Sequence, residues 1–193
     1  FSTIKSTQIL ETALSYAIKA HEGQTRKSGE PYIVHPILVA SLVYAITYDE
    51  AMAISALLHD VVEDTDASVE DISELFGEDI AHLVAGLTKI DTIRDSELTS
   101  STSDEKLIVS ALSFRKLLLA SIADVRVLVV KLCDRLHNML TLDALPSHKQ
   151  IRISEETVVV YAPIAHRLGI SFLKNRLEDL SFSYLFKDEE KKI

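Results

Sequence analysis

Apolar residues recur at helical spacing along most of this chain. The clearest stretch covers residues 7–20, and its apolar positions are Ile9, Leu10, Ala13, Leu14, Ala17 and Ile18. This spacing places apolar side chains on one face of a helix. Residues that break helices are scarce, with five glycines and four prolines among 193 residues. The sequence therefore predicts an all-α fold.

Capping residues and chain breakers divide the sequence into predicted helices. Gly, Ser and Pro residues predict a loop over 23–31, and Pro36 suits the first turn of the helix that follows. Asp49 is expected to cap a helix that carries His59 and Asp60. Ser68 and Asp71 resemble a capping box. The predicted helices cover residues 7–20, 36–47, 49–64, 68–76, 78–89, 104–121, 124–140, 147–161 and 171–185.

Three segments need a separate interpretation. Residues 91–103 are rich in Ser and Thr and lack a strong apolar pattern, which predicts a mobile surface loop. The β-branched run at 125–130 could form a strand, but the segment continues unbroken past Asn138, which favours a buried helix. Pro163 is expected to interrupt the chain between the last two helices. No internal repeat or linker is apparent, so residues 1–193 are expected to form one domain.

Charge and cysteine content exclude some classes of function. The net charge is −9, which argues against general nucleic-acid binding and requires a local basic pocket for any anionic substrate. Cys133 is the single cysteine, so the chain has no internal disulfide and suits a reducing, cytoplasmic compartment. No apolar run reaches membrane-spanning length and no signal peptide is visible.

A set of four residues indicates a metal site. His35, the adjacent pair His59 and Asp60, and the distant Asp134 resemble the ligand set of an HD-type metallohydrolase. Their nitrogen and carboxylate oxygen donors, without a thiolate, suit a divalent ion of intermediate softness such as Mn, Fe, Co, Ni or Zn. Such an ion, open on one side, generates hydroxide near neutral pH and polarises a phosphoryl oxygen.

Helical spacing extends this set. Glu63 and Asp64 follow His59 and Asp60 at i,i+4, which places all four on one helix face. A solvated face usually includes Lys or Arg, and four such groups without a cation would repel one another. Further along the chain, Asn138 and Thr141 follow Asp134 at i+4 and i+7 on a single face.

Simpler interpretations stay open for several residues. The acidic run after residue 60 could be a solvated helix end, and Asp134 could pair with Lys131 or Arg135 on a helix surface. Cys133 is expected to be a small core residue. Surface or packing roles are expected for the remaining candidate histidines, which are His21, His82 and His148.

Four long strings resemble the hydrolase domain of the RelA/SpoT family of alarmone enzymes. They are AHEGQTRKSGEPYIVHP at 20–36, LLHDVVEDT at 57–65, KLCDRLHNM at 131–139 and YAPIAHRLGI at 161–170. The resemblance implies an all-helical HD fold with a single metal site between helices. It also implies Mn²⁺-dependent hydrolysis of guanosine 3′,5′-bis(diphosphate), ppGpp, and of pppGpp. The bond between the pyrophosphate and the ribose 3′ oxygen is broken, giving GDP or GTP plus pyrophosphate.

The same resemblance assigns roles to residues. Glu63 and Asp64 would orient or deprotonate the attacking water. Arg26 would stack on guanine, which suits a planar guanidinium better than Lys. The metal ligands would be His35, His59, Asp60 and Asp134. The other substrate contacts would be Lys27, Ser28, Asn138 and Thr141.

Basic residues could supply the local positive pocket that an anionic substrate requires. Arg26, Lys27, Lys131 and Arg135 are expected to form a positive pocket on an acidic protein. The alternative for Lys131 and Arg135 is that they face solvent or pair with nearby acids. His166 and Arg167, like Arg135, are weaker site candidates whose salt bridges could instead hold helices together.

Two alternative functions stay open, as does the question whether the chain is a separate enzyme or part of a longer one. The chain could hydrolyse another nucleotide, such as NADPH, or could be a catalytically silent nucleotide sensor. Glu63 and Asp64 argue against the second, since a pure binder has no need of that pair. Full-length relatives carry synthetase and regulatory domains after the hydrolase, so the chain is expected to be either a stand-alone hydrolase or part of a bifunctional enzyme.

Overall fold

Helices make up nearly all of the described structure. The structure, a computed structural model, describes residues 2–98 and 104–186, apart from the side chains of residues 2–7, 98, 104–110, 120 and 121. The α-helices are α1 (Ser2–Ala20), α2 (Val34–Thr47), α3 (Glu50–Leu58), α4 (Val61–Asp64), α5 (Val69–Phe76), α6 (Glu78–Leu98), α7 (Asp104–Ser121), α8 (Val125–Leu140), α9 (Ser147–Glu156), α10 (Ala162–Arg167) and α11 (Ser171–Leu185). A 3₁₀ turn at Leu142–Ala144 and a π-helical segment at Thr157–Tyr161 complete them. Within these residues the only β-type pairing is one isolated bridge between Thr25 and Pro31, which confirms the all-α prediction.

The chain divides into two compact units. Unit 1 comprises Phe1–Ile90 and Asp124–Asp134, and unit 2 comprises Asp91–Ala123 and Arg135–Ile193. In unit 1, α3 packs against both α1 and α2. Its core includes Val39, Val43, Ile54, Leu58, Ile72, Leu83 and Leu87, all nearly or fully buried. No helix within the described parts of the chain is long and apolar enough to cross a membrane.

Local capping explains several of the helix boundaries. The Met52 N–H donates to Asp49 Oδ1 at 3.0 Å at the start of α3. In the capping box of α5, the Asp71 N–H donates to Ser68 Oγ at 3.1 Å and the Ser68 N–H donates to Asp71 Oδ2 at 2.8 Å. These bonds satisfy backbone donors that a helix leaves unpaired at its N-terminus. The predictions made from Asp49, Ser68 and Pro36 are therefore confirmed.

The predicted continuous helix through His59 and Asp60 is wrong in one detail. Helix α3 ends at Leu58, and the one-turn helix α4 begins at Val61. The ring Nδ1 of His59 lies 2.6 Å from the Ala56 carbonyl oxygen, which the Asp60 N–H would use in an unbroken helix. Because a side chain takes this acceptor, the backbone turns at the two residues that point toward the candidate site.

The predicted loop at 91–103 is wrong for residues 91–98. Helix α6 continues to Leu98, and residues 99–103 lie outside the described part of the chain. The reason is a tertiary anchor in unit 2, where Arg94 Nε and Nη2 donate to the two carboxylate oxygens of Glu156 at 2.7 and 2.9 Å. Such a bidentate contact holds the polar helix end in place, and local sequence does not report it.

The expected interruption of the helices at Pro163 is not observed. This proline lies in the first turn of α10, which continues directly from the π-helical segment Thr157–Tyr161. Pro163 has no N–H for the Val159 carbonyl four residues earlier. Arg115 Nη1 donates to that carbonyl at 2.9 Å instead. A side chain from α7 therefore satisfies the acceptor that the proline leaves unpaired.

Substitution of Gly86 tests the close approach of α6 and α8. A Cβ at Gly86 would lie 2.7 Å from Val127 Cγ2. Ala is favoured over Gly inside a helix by about 1 kcal/mol, but overpacking a core costs about 1–3 kcal/mol. We expect Gly86→Ala to lower the free energy of unfolding in urea titrations. Val127→Ala should be less costly in the Gly86→Ala background than alone; a Gly86→Ala variant as stable as the parent contradicts this contact.

A buried ionic cluster in unit 2 predicts acid sensitivity. Glu156 is buried, and the cations Arg135 and Arg94 outweigh the effect of burial and lower its pKa to about 2. Since the folded pKa lies below the ordinary value of 4.5, the contribution of Glu156 to stability is complete above pH 4.5 and is lost as pH falls through about 2. We expect Glu156→Gln to cost roughly 3 kcal/mol at pH 7.

The difference in unfolding free energy between the parent and Glu156→Gln should shrink on acidification. Glu178→Gln is the control, because Glu178 forms a half-buried i,i+4 pair with Lys174 near the surface and such helix pairs contribute little. Equal costs for the two variants would refute the role of Glu156.

Candidate metal centre

Three helical segments of unit 1 bring the four predicted ligands together. His35 is the second residue of α2, His59 and Asp60 occupy the break between α3 and α4, and Asp134 lies on α8. His35, His59 and Asp134 are 3 %, 2 % and 5 % exposed. A polar cluster this deeply buried requires partners, since unpaired buried polar groups are costly.

The donor atoms of these residues face one another. His35 Nε2 lies 3.1 Å from Asp134 Oδ1 and 3.8 Å from Asp60 Oδ2. His59 Nε2 lies 3.0 Å from Asp60 Oδ1 and 3.9 Å from Asp134 Oδ1. One donor atom each from His35, His59 and Asp134 lies within 4.8 Å of the others. The arrangement brings two imidazole nitrogens and the Asp134 carboxylate together, with the Asp60 carboxylate in contact with both rings.

His59 turns its Nε2 toward the other donor atoms, because its Nδ1 is engaged by the backbone. Its Nδ1 lies 2.6 Å from the Ala56 carbonyl oxygen, and a carbonyl only accepts, so Nδ1 carries the hydrogen. In the neutral ring Nε2 then keeps its lone pair. His59 Nε2 is buried and has no hydrogen-bond partner. A lone pair oriented by a bond at the other ring nitrogen is the usual state of a metal-binding histidine.

Asp134 is a buried carboxylate held in its charged form. Burial alone raises its pKa, but the charge of Lys131 and a hydrogen bond from His35 hold the pKa well below the ordinary value. Lys131 Nζ lies 2.9 Å from Asp134 Oδ2, which leaves Oδ1 toward the two histidines. The pairing with Lys131 that the sequence left open is therefore present, and it orients Asp134 toward the cluster.

Tyr32 orients the other carboxylate, and the sequence reasoning missed it. Its hydroxyl donates to Asp60 Oδ2 at 2.6 Å. Burial and the negative charge of Asp60 raise the pKa of Tyr32, so the phenol stays protonated and remains a donor. The available signal was its position three residues before His35, at the entrance to α2.

These residues fit a divalent ion. The cluster offers nitrogen and carboxylate oxygen donors, contains an unpartnered buried nitrogen at His59, and has second contacts from Ala56, Lys131 and Tyr32 that orient the donors. Ligands with such oriented outer partners are typical of metal centres. The cluster can therefore hold one divalent metal ion.

The acidic pair lies beside the cluster on α4. Glu63 and Asp64 are exposed, and they follow the buried His59 and the half-buried Asp60 by one turn. Desolvation and the charge of Asp60 raise the pKa of Asp64. A carboxylate with a raised pKa binds a proton more readily near neutral pH.

The basic loop before α2 carries three of the predicted substrate contacts. Arg26 is half-buried, with Nε 4.0 Å from Glu30 Oε1. Lys27 and Ser28 are exposed, and Ser28 Oγ donates to Glu30 Oε1 at 3.3 Å. Lys27 is thus accessible to an anionic ligand, and Arg26 presents a partly covered guanidinium.

The remaining predicted contacts belong to unit 2. Asn138 and Thr141 are half-buried at the end of α8, where Thr141 Oγ1 donates to the His137 carbonyl at 3.3 Å. Arg135 does not form the expected positive pocket. Its Nη2 donates to Glu156 Oε1 at 2.8 Å and its guanidinium lies 4.0 Å from the ring centroid of Tyr161. The alternative expectation for Arg135, that it pairs with a nearby acid, is therefore correct.

The other candidates take packing or surface positions. His21 is buried and packs on Tyr32, with ring centroids 4.8 Å apart. His82 and His148 are exposed, and His82 Nε2 lies 3.6 Å from Asp124 Oδ2. Cys133 is fully buried, and burial raises the pKa of its thiol to about 12. Such a thiol is unreactive at neutral pH.

Comparison with known proteins places the chain among HD-domain proteins. A family model described as an HD domain matches residues 13–171. The chain is 49 % identical over 181 residues to a GTP pyrophosphokinase of Myxococcus xanthus. It is 51 % identical over 181 residues to a probable guanosine-3′,5′-bis(diphosphate) 3′-pyrophosphohydrolase of Synechocystis. These matches cover 94 % of the chain but 23 % of each relative.

Two further similarities concern SpoT. The chain is 44 % identical over 177 residues to the bifunctional (p)ppGpp synthase/hydrolase SpoT of Escherichia coli, covering 92 % of this chain and 24 % of SpoT. A solved structure of a metazoan ortholog of SpoT, described as hydrolysing ppGpp, matches with a TM-score of 0.55 and 29 % identity. That match covers 94 % of this chain and 95 % of the other. The chain thus spans about a quarter of the curated relatives and nearly all of the metazoan structure.

Substitutions in the cluster should alter metal binding in a graded way. His59→Ala removes a donor atom and Asp134→Asn removes the negative charge of a ligand, so we expect loss of the bound divalent ion after dialysis, measured by elemental analysis. Tyr32→Phe removes only the bond that orients Asp60, and we expect metal affinity to fall about 10–100-fold. His148→Ala is the control on an exposed histidine. Full metal content in Asp134→Asn, with native helicity, would remove Asp134 from the ligand set.

Proposed function

This chain belongs to the HD-domain family, and we propose that it hydrolyses guanosine 3′,5′-bis(diphosphate), ppGpp, and pppGpp with Mn²⁺ in the His/Asp cluster. The observation that carries the proposal is the cluster of the buried His35, His59 and Asp134 with the half-buried Asp60 beside it, in which the His59 Nε2 makes no hydrogen bond. Relatives named as 3′-pyrophosphohydrolases of this nucleotide support the choice of substrate.

The ligand set suits a divalent ion of intermediate softness, and the choice of Mn²⁺ among such ions rests on the resemblance to alarmone hydrolases. Two imidazoles and two carboxylates suit borderline ions and lack the thiolates that favour softer ones. When bound, such an ion supplies Lewis acidity and lowers the pKa of water. His35, His59, Asp60 and Asp134 would hold it, while Lys131 and Tyr32 keep the two carboxylates oriented.

Glu63 and Asp64 would handle the proton of the attacking water. Both lie one turn beyond the cluster on α4, and the raised pKa of Asp64 suits a proton acceptor. Water oxygen bonds to the phosphorus attached to the ribose 3′ oxygen, and that P–O bond breaks. Its electron pair goes to the 3′ oxygen, which takes up a proton. The products are pyrophosphate and GDP, or GTP from pppGpp.

The loop before α2 would select the nucleotide. The half-buried guanidinium of Arg26 is suited to stacking on guanine, and the exposed Lys27 to contact with phosphate, with Ser28 beside it. Asn138 and Thr141 would add polar contacts from the end of α8.

Incubation of the purified chain with ppGpp and Mn²⁺, followed by nucleotide separation, tests the proposal. We expect GDP and pyrophosphate in equal amounts. The double variant Glu63→Gln/Asp64→Asn should keep its metal and lose turnover by about 100-fold or more, because positioned acid–base groups contribute about 10²–10⁴-fold. Asp66→Asn is the matched control, since it neutralises an exposed acid two residues later.

Three outcomes would overturn parts of this proposal. Unchanged ppGpp with release of phosphate from NADPH indicates the other nucleotide hydrolase. Tight ppGpp binding without products, with metal bound, indicates a nucleotide sensor. Normal turnover in the double variant excludes a role for the acidic pair in proton transfer.

A further inference from the structure

The segment Gln24–Tyr32, here called the substrate loop, is closed on itself by backbone hydrogen bonds. The Tyr32 N–H donates to the Gln24 carbonyl at 3.0 Å, and the Arg26 N–H donates to the Glu30 carbonyl at 2.9 Å. The Gly29 N–H donates back to the Arg26 carbonyl at 2.9 Å, with Gly29 at φ +90°. These bonds make the loop a compact unit, so its orientation depends on how its two ends are attached, and the Tyr32 end is held by the hydrogen bond from its hydroxyl to Asp60.

Gln24 attaches the loop to two other segments through its side chain. Its Nε2 donates to the Asp64 carbonyl at 3.3 Å, and its Oε1 lies 2.9 Å from His21 Nδ1. The Asp64 carbonyl only accepts, so the amide NH₂ of Gln24 must face it and the amide oxygen must face His21. His21 Nδ1 therefore carries the hydrogen and donates to Gln24. The buried His21 ring, packed on Tyr32, fixes the orientation of this amide.

The contact with Asp64 lies at the end of a one-turn helix, where backbone carbonyls have few partners within the helix. Helix α4 has four residues, Val61–Asp64, and the last carbonyls of a helix lack intrahelical partners. Thr65 Oγ1 donates to the Val61 carbonyl at 2.5 Å, and Gln24 donates to the Asp64 carbonyl. Side chains thus supply donors at both ends of this single turn, which carries Glu63 and Asp64.

We propose that Gln24 is a positioning residue that holds the substrate loop in register with the acidic pair. Its backbone carbonyl and side-chain amide connect Tyr32, His21 and Asp64 at one residue, two positions before Arg26. A ligand on Arg26 is thereby set at a fixed distance from Glu63 and Asp64. The kinetic part of this inference rests on the proposed function, whereas the attachment of the loop does not.

If Gln24 positions the substrate loop, its loss should change the kinetics differently from loss of Arg26 or of the acidic pair. Arg26→Ala should mainly raise KM, and loss of Glu63 and Asp64 should mainly lower kcat. Gln24→Met preserves side-chain length without hydrogen bonding, so it should raise KM and lower kcat together, each about 10-fold, because small misplacements of reacting groups are costly. Metal content should stay at the wild-type level, since Gln24 contacts no residue of the cluster.

Two further variants test whether the Gln24 amide acts by donating a hydrogen bond or only by filling space. Gln24→Glu keeps the shape and the acceptor toward His21 but places oxygen against the Asp64 carbonyl, so it should be at least as impaired as Gln24→Met. Gln150→Met is the matched control, because the Gln150 amide likewise donates to a backbone carbonyl, that of Leu145, at 2.8 Å. It should lower stability and leave KM and kcat within about twofold of the wild-type values.

Hydrogen exchange of the whole chain provides a test independent of substrate. In Gln24→Met, the peptides that contain the Arg26, Gly29 and Tyr32 amides and the end of α4 should exchange at least fivefold faster. In Gln150→Met they should exchange as in the wild type. Gln24→Met with unchanged exchange, or wild-type kinetics in Gln24→Glu, would overturn the inference.

Absence of ppGpp hydrolysis by the wild-type chain would refute the proposed function and the kinetic role of Gln24 together. Faster exchange in Gln24→Met would still establish the attachment of the loop, and unchanged exchange would refute it. The two failures are therefore distinguishable.

Discussion

The buried, ionised carboxylate of Asp134 is the interaction on which the candidate centre depends. A carboxylate removed from water is costly unless cations and hydrogen bonds surround it. Lys131 at 2.9 Å and His35 at 3.1 Å provide both, and they keep the group charged despite its burial. Because α8 contributes Asp134 and Lys131 while α2 contributes His35, this requirement for pairing brings these two helices together at the site.

The partners of the carboxylates distinguish the two ionic clusters. In unit 1, the carboxylates of Asp60 and Asp134 face the rings of His35 and His59, and Lys131 is the cation paired with Asp134. In unit 2, the carboxylate of Glu156 is paired with two guanidinium groups, those of Arg94 and Arg135. The first cluster brings carboxylate oxygens together with a buried histidine nitrogen that makes no hydrogen bond, which suits a metal cation. The second is complete, and its role is structural.

The groups assigned to chemistry occupy the least regular parts of unit 1. His59 and Asp60 lie at a helix break, Glu63 and Asp64 on a single turn, and Arg26 on a loop. Irregular backbone lets side chains converge, but it leaves carbonyls and N–H groups without local partners. Side chains of His59, Thr65 and Gln24 supply the missing donors. The order of the site therefore depends on long-range and turn-specific contacts more than on helix propensity.

The sequence by itself determined the all-α class, most helix ends and the HD-type residue set. These follow from local causes: apolar periodicity, the caps at Asp49 and Ser68, and motifs whose residue types restrict the chemistry. Only the tertiary structure decided that α6 extends past residue 90, that Pro163 lies within a helical path, and that Arg135 pairs with Glu156. It also revealed Tyr32 and Gln24 as partners of Asp60 and Asp64, across separations of 28 and 40 residues. The reason is that a buried polar group takes whichever partner the packed chain brings near, and local sequence carries no record of that partner.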